Sequence, residues 1–347
     1  MTALSVIIPY FQRKPGILRR ALTSVLLQSL PPDIRIDILL VDDGSPVPAR
    51  GEIEELHIAP PFQLSLAEQP NRGVAAARNT ALGLVPSDTI YIAFLDSDDI
   101  WDKQHLATGI AALDRGYDFY FCDGRRVGDR HSAFSDATSG VPLLAFLRAA
   151  NSHLIGDHLY ELKPPAFFSQ SLRMPGYRIP AVIYRRAAAP SLLFDTSLRE
   201  AGEDSLFLLR LMLQSRKICC STRELVTFAD GVNIYAGKYT WENPGHLLRH
   251  MGIILYYNRL QQQLPLSPDD ASFIAGRVRL YHRVFAFLSV RYFVKKRQLW
   301  PRDLRRMTRR DPRFWLWFPA WAFYVAVAYP IGVYDPIRQG DIHHPEA

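Results

Sequence analysis

The first third of the chain alternates short apolar segments with amphipathic ones, and this alternation constrains the fold most strongly. Strands are predicted at five apolar segments, SVIIPY (5–10), IDILLVDD (36–43), FQLSLAEQ (62–69), TIYIAFLD (89–96) and YDFYFCD (117–123). Helices are predicted between them over residues 16–29 and 73–84. Strands that alternate with helices favour a parallel sheet covered by helices on both faces. The chain is therefore predicted to have an α/β fold.

Two of these predicted strands end in acidic clusters, LLVDDGS and AFLDSDD. In open α/β sheets, ligands bind beyond the carboxyl ends of the strands, so Asp43 and Asp96 are expected to face one crevice. Residues two apart on an extended segment point to the same side, so Asp96 and Asp98 can converge on one point. Two such carboxylates repel each other unless a cation lies between them, and their oxygens suit Mg²⁺ or Mn²⁺ better than zinc. The second cluster is therefore a candidate metal site.

Two other interpretations of the acidic clusters stay open at this point. Asp-rich turns after strands are common, and Asp98, Asp99 or Asp102 could instead cap a helix that begins near Trp101. A strand that ends in two aspartates, with a third aspartate one βαβ unit later, also describes the Mg²⁺ site of a receiver domain. Here, however, a strand and a helix over residues 5–29 precede the pair. A receiver domain would also leave roughly two thirds of the chain unexplained, which counts against it.

The positive charge of the chain is concentrated in one segment. The net charge is +7, residues 291–313 alone carry +8, and the following FWLWFPAWAFYVAVAYPIGVY (314–334) has 21 residues without a charge. A run of this length can span a bilayer, its aromatic ends resemble an interfacial belt, and the basic residues before it follow the positive-inside rule. Pro319 and Pro330 interrupt it, which also suits a helix that lies on the membrane surface. We expect one of these two modes of membrane association, with a buried helical hairpin as the alternative.

The cysteines and the N-terminal sequence bear on the cellular compartment. Cys122, Cys219 and Cys220 include an adjacent pair, which suits neither a disulfide framework nor a zinc site. The first residues lead directly into a predicted strand without the basic region of a signal peptide. We therefore expect a reducing, cytoplasmic setting. Nucleic acid is not an expected partner, because no strand or helix with interleaved basic and aromatic residues precedes the apolar run.

Five motifs in a fixed order resemble those of the family 2 glycosyltransferases, which have the GT-A fold. They are SVIIPYFQR, SVLLQS, ILLVDDGS, QPNRGVAAARNTAL and IAFLDSDDIW, and together they cover about residues 4–105. Further on, REAGEDSLFLLRLM (199–212) is similar to the Glu-Asp motif that opens the catalytic helix of the family. GVNIYAGKYTW (231–241) is similar to the loop that follows this helix in exopolysaccharide-assembling members of the succinoglycan type. The combination makes the resemblance specific, whereas any one motif alone would not.

The resemblance implies a nucleotide site at the first three motifs. Asp43 corresponds to the carboxylate that binds uracil, with Asp42 as its partner. Arg78 matches the arginine near the nucleotide, where a guanidinium supplies forked donors that a lysine lacks. The residues expected to line the base are Pro9, Tyr10 and Phe11. Two positions depart from the family pattern, because Tyr10 replaces a small hydroxyl residue and Gln12 replaces an asparagine.

The resemblance also implies the residues of the chemical step. The DSD sequence matches the Asp-X-Asp motif, in which Asp96 would contact ribose and the metal, and Asp98 would coordinate the metal on the diphosphate. Asp204 would be the general base, with Glu203 in a supporting role, although acids in a first helical turn are also favoured by the helix dipole alone. The helix behind them, over residues 206–213, is apolar nearly all round and is expected to be buried. In the Gly-bounded loop, Lys238 and Tyr239 could close over the diphosphate.

Together these expectations describe an inverting glycosyltransferase that uses a UDP-sugar and Mg²⁺ or Mn²⁺. A Rossmann-like GT-A sheet would be followed by a mainly helical C-terminal region. The acceptor would be a lipid-linked saccharide in bacterial exopolysaccharide or cell-envelope synthesis, at the cytoplasmic face of the inner membrane. The alternatives are an inactive UDP-binding scaffold and a sugar nucleotidyltransferase. The expected domains are a catalytic domain over 1–240, divided at 123, a basic helical extension over 241–313 and a membrane-associating tail over 314–347, either peripheral or a single-pass anchor.

Overall fold

The computed structural model of the chain describes residues 2–135, 142–148, 152–173, 176–229, 244–297, 300–330, 333, 334 and 336. The chain forms two compact units. The first comprises Met1–Thr196 and Asp204–Val232, and the second comprises Ser197–Glu203 and Asn233–Ala347. The predicted domain boundaries at residues 123, 240 and 313 stay predictions.

The first unit contains a sheet of ten strands with helices between them. In chain order its elements are β1 (Thr2–Tyr10), α1 (Ile17–Leu26), β2 (Ile34–Asp42), α2 (Ala49–Ile53), β3 (Phe62–Glu68), α3 (Val74–Gly83), β4 (Tyr91–Phe94), β5 (Ile100–Trp101), α4 (His105–Asp114), β6 (Phe119–Arg126), α5 (Leu143–Arg148), β7 (Ser152–Gly156), β8 (Leu159–Leu162), α6 (Pro164–Arg173), β9 (Val182–Arg185), α7 (Glu203–Gln214) and β10 (Ile218–Phe228). The five predicted strands and the two predicted helices are all present, with ends displaced by a few residues. The α/β prediction is confirmed.

The sheet is mixed, whereas a parallel sheet was predicted. Its order is β3-β2-β1-β4-β9-β6-β10-β8-β7, and β5 pairs with β10 outside this path. Strands β1 to β4 are parallel, and β6 is parallel to β10, but β9 is antiparallel to both β4 and β6. Because β9 runs opposite to both neighbours, it begins on the side of the sheet towards which β4 and β6 run. The carboxyl ends of β1, β2, β4, β6 and β10 therefore share one edge, and β9 begins there.

The turn after β4 differs from the sequence-based expectation in one respect. Ile100 and Trp101 do not open a helix, because they form β5 and pair with the end of β10. With this backbone taken up by the sheet, α4 begins only at His105. Asp102 does assist the start of that helix, since its Oδ1 accepts a hydrogen bond from the Gln104 amide at 2.9 Å. The carboxylate of Asp99 has another role, described below.

The second unit is helical, as predicted for the C-terminal region. Its helices are α8 (Pro244–Gln263), α9 (Pro268–Lys296), α10 (Arg302–Thr308) and α11 (Phe314–Ala328). Ser267 caps α9, because its Oγ accepts a hydrogen bond from the Asp270 amide at 3.1 Å and proline occupies the first helical position. Helix α9 packs against both α8 and α11. The contact with α11 is aromatic and centres on Phe285, which lies edge-on to Phe314 and Trp317.

Helix α11 covers the first part of the predicted 21-residue apolar run and contains Pro319. One side of it is buried, whereas Trp315, Leu316 and Phe323 are 70%, 79% and 74% exposed. Among the residues that the structure describes, no helix combines the length and the apolar character needed to cross a membrane.

Candidate active site

The edge where β1, β2 and β4 end brings together the acidic clusters of the sequence. Asp42 is the last residue of β2, and Asp96 follows β4 by two residues. Both strands pair directly with β1, so the two clusters flank the end of one central strand. The segment before β9 and the ends of β6 and β10 continue the same edge. The topology therefore places the two acidic turns along one edge of the sheet.

The two carboxylates of the DDGS turn hold the loops of this edge. Asp42 Oδ1 accepts a hydrogen bond from the Ser45 amide at 2.7 Å, and its Oδ2 accepts one from the Ala49 amide at 2.9 Å, where α2 begins. Asp42 thus stabilises the turn itself. A small residue is needed here, because Gly44 has φ +68° and an added Cβ would lie 2.9 Å from the Asn71 amide nitrogen.

Asp43 is buried and connects the DDGS turn to the loop before α3. Its Oδ1 accepts hydrogen bonds from the Gln69 side chain at 2.7 Å and the Arg72 amide at 2.8 Å, while its Oδ2 accepts one from the Gly73 amide at 2.7 Å. These contacts explain why the DDGS and QPNRG motifs occur together. A uracil base would have to share this carboxylate with the loop, and the assignment of Asp43 to the base stays a prediction.

The end of β1 contributes a polar bridge that sequence reasoning noted only as a departure. The backbone amide of Gln12 donates to Ser45 Oγ at 2.7 Å, and the side-chain Nε2 of Gln12 donates to Ser97 Oγ at 3.1 Å. Gln12 thus joins the turn after β2 to the DSD turn after β4. Of the residues predicted to line the base, Pro9 and Tyr10 are buried, and Phe11 is partly accessible. Burial raises the pKa of the Tyr10 hydroxyl to about 12.

Arg78 lies beside the DSD turn. It is buried in α3, and its Nη2 donates to Asp96 Oδ1 at 2.6 Å. Its guanidinium also lies over the ring of Phe194, 5.2 Å from the centroid. A charge-assisted hydrogen bond from a rigid, buried guanidinium holds the Asp96 carboxylate in one orientation. The predicted arginine is therefore at the candidate site, where it bonds the first aspartate of the Asp-X-Asp motif.

The remaining carboxylates of the turn are crowded. Asp99 is 6% exposed, and its Oδ1 accepts a hydrogen bond from the Ala229 amide at 2.9 Å, just beyond the end of β10. It therefore fastens the turn to β10, and the alternative that it caps the next helix is wrong. Burial raises the pKa of Asp99 to about 8, and the charges of Asp96 and Asp98 add to this effect. The turn thus brings together carboxylates that repel one another when they are ionised.

The described residues include no group of three or more carboxylate, imidazole or thiol side chains placed to hold an ion by themselves. Asp98 is half-buried, next to the Asp96 carboxylate that Arg78 orients. Oxygen ligands in small number suit Mg²⁺ or Mn²⁺, which usually keep waters and bind phosphate oxygens of a substrate. The crowded charge and the oxygen donors of this turn therefore fit such a cation.

The predicted base lies at the start of α7. Asp204 Oδ1 accepts a hydrogen bond from the Ser205 amide at 2.7 Å. Glu203 is the first residue of the same helix, whose buried residues are Leu206, Phe207, Leu208, Leu209, Leu211 and Met212. The expectation of a buried helix over residues 206–213 is confirmed except at Leu213, which is 44% exposed, so Asp204 has a rigid support. Lys238 and Tyr239 lie outside the described residues.

An aromatic cluster that sequence reasoning missed connects α7 to the DSD turn. Phe194 stacks on Phe207 of α7 with centroids 4.0 Å apart, and it meets Phe94, the last residue of β4, edge-on at 5.6 Å. The Asn79 side chain bonds both backbone polar groups of Phe194. It donates to the Phe194 carbonyl at 2.9 Å and accepts from the Phe194 amide at 2.8 Å. The AARN motif contained the signal, but nothing local identified Phe194 as the partner.

The chain resembles known proteins in sequence and in fold. The model of the family "Glycosyl transferase family 2" matches residues 5–160. The succinoglycan biosynthesis protein ExoW of Rhizobium meliloti (strain 1021) is 28% identical over 325 residues, which are 91% of this chain and 94% of the relative.

Solved structures support the fold. TarS of S. aureus (residues 1–349), solved with UDP-GlcNAc, has a TM-score of 0.59 at 17% identity and covers 96% of this chain and 93% of its own. The mannosyltransferase PcManGT of Pyrobaculum calidifontis, solved with GDP-Man and Mn²⁺, has a TM-score of 0.51 at 16% identity and covers 94% of this chain and 86% of its own. The GT-A prediction is confirmed, and the resemblance to the family 2 glycosyltransferases holds over residues 5–160 of this chain.

Proposed function

We propose that this chain is an inverting glycosyltransferase that moves a sugar from a UDP-sugar to a saccharide acceptor during polysaccharide biosynthesis. The observation that carries the proposal is the connection between two chemical groups at one edge of the sheet. Arg78 orients the Asp-X-Asp motif and lies on Phe194, and Phe194 stacks on the helix that begins with the proposed base. ExoW, named for succinoglycan biosynthesis, and the TarS complex with UDP-GlcNAc support the substrate class.

In the proposed reaction, Asp204 removes the proton from the attacking hydroxyl of the acceptor. The hydroxyl oxygen forms a bond to the anomeric carbon from the side opposite the diphosphate, and the bond from that carbon to the diphosphate oxygen breaks. UDP leaves with the bonding electron pair, and the proton stays on the Asp204 carboxylate. Because Asp204 Oδ1 is held by the Ser205 amide, we propose that Oδ2 faces the acceptor.

For the nucleotide, we propose that Asp43 and Phe11 contact the base, with Asp42, Pro9 and Tyr10 supporting the turn and strand behind them. Asp98, with Asp96 beside it, would hold a divalent cation. When bound, Mg²⁺ or Mn²⁺ would stabilise the negative charge on the departing diphosphate. The Mn²⁺ in the PcManGT structure supports this choice of metal. Glu203 would orient the acceptor, and Lys238 and Tyr239 would close over the diphosphate.

A donor panel tests the proposed function. Purified protein with Mn²⁺ is incubated with UDP-, GDP- and dTDP-sugars, and free nucleoside diphosphate is measured with and without saccharide acceptors. We expect release of UDP from one or a few UDP-sugars and stimulation by an acceptor. UDP binding without release from any donor would identify an inactive scaffold. Pyrophosphate formed from UTP and a sugar 1-phosphate would instead identify a nucleotidyltransferase.

We propose further that the acceptor is lipid-linked and that the enzyme works at the cytoplasmic face of the membrane, bound to its surface through the second unit. The exposed Trp315, Leu316 and Phe323 of α11 are large apolar side chains of the kind that enter the interfacial layer. The exposed Arg305, Arg306 and Arg309 lie shortly before them in the chain and would attract anionic lipids. This favours a surface-bound helix over a spanning one.

A flotation assay checks the surface-binding proposal. Changing Trp315, Leu316 and Phe323 together to serine should lower binding to vesicles of phosphatidylcholine and phosphatidylglycerol by about tenfold or more, because three apolar side chains no longer insert. Added salt should weaken wild-type binding as well. The matched control changes three exposed apolar residues of the first unit to serine, namely Leu27, Val127 and Leu154. Equal binding by the α11 variant and the wild type would contradict membrane insertion of this helix.

A further inference from the structure

One cation at the candidate edge has no role in the transfer chemistry described so far. Arg178 is exposed and precedes the short 3-10 turn Ile179–Ala181 that leads into β9. Because β9 runs opposite to β4 and β6, it begins on the side of the sheet towards which those two strands run. The topology therefore places Arg178 at the same edge as the Asp-X-Asp turn, although 82 residues after Asp96 in the chain.

Arg178 is held in place by an aromatic ring. Its guanidinium lies over Phe228, 4.7 Å from the ring centroid. Phe228 is the last residue of β10, and the next amide, that of Ala229, donates to Asp99 in the turn after β4. A ring covers one face of a guanidinium and leaves the N–H groups at its rim able to donate. Arg178 is thus presented beside the Asp-X-Asp turn with its donors available for a planar, forked contact.

A second arginine lies in register with this ring. Arg126, the last residue of β6, is the strand partner of Phe228 in the parallel pair of β6 and β10. Crowding of the Arg178 guanidinium by surrounding atoms lowers its pKa, and the charge of Arg126 adds to this effect. The carboxylates of Asp99, Asp204 and Asp129 lie near enough to oppose the shift. The positive charge of Arg126 thus acts on Arg178, and an anion bound beside both would relieve this repulsion.

The order of the strands indicates which substrate would use these arginines. Along the sheet the order is β2, β1, β4, β9, β6 and β10. The proposed nucleotide site lies at β2 and β1, and the proposed metal site follows β4. Arg178 lies further on, shortly before β9, where the charge of the proposed base Asp204 acts on it, and Arg126 is the last residue of β6. A donor that occupies the first part of the edge leaves this last part to the acceptor.

We infer that Arg178 and Arg126, supported by Phe228, form a phosphate-binding subsite for the acceptor. This inference rests on the proposed glycosyl transfer at this edge. The phosphate could belong to the diphosphate that joins a saccharide to a lipid or to a phosphate group within the saccharide itself. Arginine suits either source, because its planar fork binds two phosphate oxygens at once.

The test uses full-length protein saturated with UDP and Mn²⁺, so that the nucleotide site is filled before phosphate is added. UDP binding is measured first for every variant and confirms that the protein is folded. Inorganic phosphate is then titrated by calorimetry. We expect Arg178→Ala and Arg126→Ala each to weaken phosphate binding by about tenfold or more, while Arg178→Lys restores part of it because one charge remains without the fork.

The matched control is Arg216→Ala. Arg216 is also exposed, but it precedes β10 and therefore lies at the opposite edge of the sheet. We expect this variant to bind phosphate as the wild type does. Unchanged phosphate binding by Arg178→Ala, an equal loss with Arg216→Ala, or no phosphate binding by UDP-loaded wild type would each overturn the subsite. A purely structural Arg178, which only neutralises Asp99 and Asp204, predicts the first of these results together with a lower melting temperature.

Two further probes separate the sources of the phosphate. A short-chain prenyl diphosphate represents the lipid linkage, and a hexose 6-phosphate represents a phosphorylated saccharide. The probe that competes with inorganic phosphate at the lower concentration identifies the source, and its advantage should disappear in Arg178→Ala. Failure of the proposed function would be visible separately, as absent UDP release from every donor in protein that still binds phosphate.

Discussion

Replacing Asp204 with asparagine is expected to lower kcat for sugar transfer by about 10²- to 10⁴-fold, the usual contribution of a positioned base. The asparagine side chain has nearly the same shape, and its oxygen can still accept the Ser205 amide that now bonds Asp204 Oδ1 at 2.7 Å. The start of α7 should therefore keep its structure. What the variant loses is a group that can take the proton of the acceptor hydroxyl. UDP-sugar affinity, measured by calorimetry, should change little.

Two companion variants sharpen the Asp204 experiment. Glu203→Gln removes the neighbouring charge at the start of α7 and should reduce turnover much less if Glu203 only supports the acceptor. Asp303→Asn removes an exposed carboxylate in the first turn of α10 and should leave transfer unchanged. Near-normal turnover of Asp204→Asn, or a loss that Asp303→Asn reproduces, would mean that Asp204 is not the base.

Replacing Asp98 with asparagine should separate activity from stability. We expect metal-dependent transfer to fall by about 10²- to 10³-fold, because a divalent cation contributes several kcal/mol of charge stabilisation to a departing diphosphate. In the absence of metal, the Asp98→Asn variant should be as stable as the wild type or more stable. Asp98 is one of the charges that, after burial, raise the pKa of Asp99, so its removal reduces repulsion at the turn. Assays of UDP release and thermal melts in EDTA measure the two effects.

The matched control for Asp98 lies four residues further along. Asp102→Asn removes a charge from the same segment, but the Asp102 carboxylate accepts the Gln104 amide at the start of α4, a bond that an asparagine oxygen can also accept. It should therefore cost about 1 kcal/mol of the free energy of unfolding or less and leave transfer intact. Wild-type activity that survives EDTA, or an Asp98→Asn variant with full activity, would remove the cation from the proposed site.

The elements of the first half could be predicted because their signals are local. Apolar runs, helical periodicity and punctuation by glycine and proline lie within windows of about ten residues, and the structure places strands and helices there. The acidic clusters were informative for the same reason, since a charged group at the end of a buried strand needs a partner. Even so, the local pattern wrongly predicted a helix that begins near Trp101. Ile100 and Trp101 form a strand instead, because they pair with β10.

The contacts that assemble the site had no such signal. Asp99 binds the Ala229 amide across 130 residues of chain, and Asn79 clamps Phe194 across 115. Neither partner can be found by reading along the sequence, because each contact exists only once the strands are ordered. Arg178 shows this most clearly. In the sequence it is one arginine among many, and it reaches the candidate edge because β9 is inserted backwards between β4 and β6.

The sequence by itself thus determined the α/β alternation, the acidic turns and the buried helix that supports Asp204. These properties follow from which side chains can leave water, and neighbouring residues largely decide that. Only the tertiary structure decided that Arg78 orients Asp96 and that Asp99 joins the turn after β4 to the end of β10. It also decided where the guanidinium of Arg178 lies. Those choices depend on strand order and direction, which arise from the packing of the whole sheet and leave no periodic trace in any one segment.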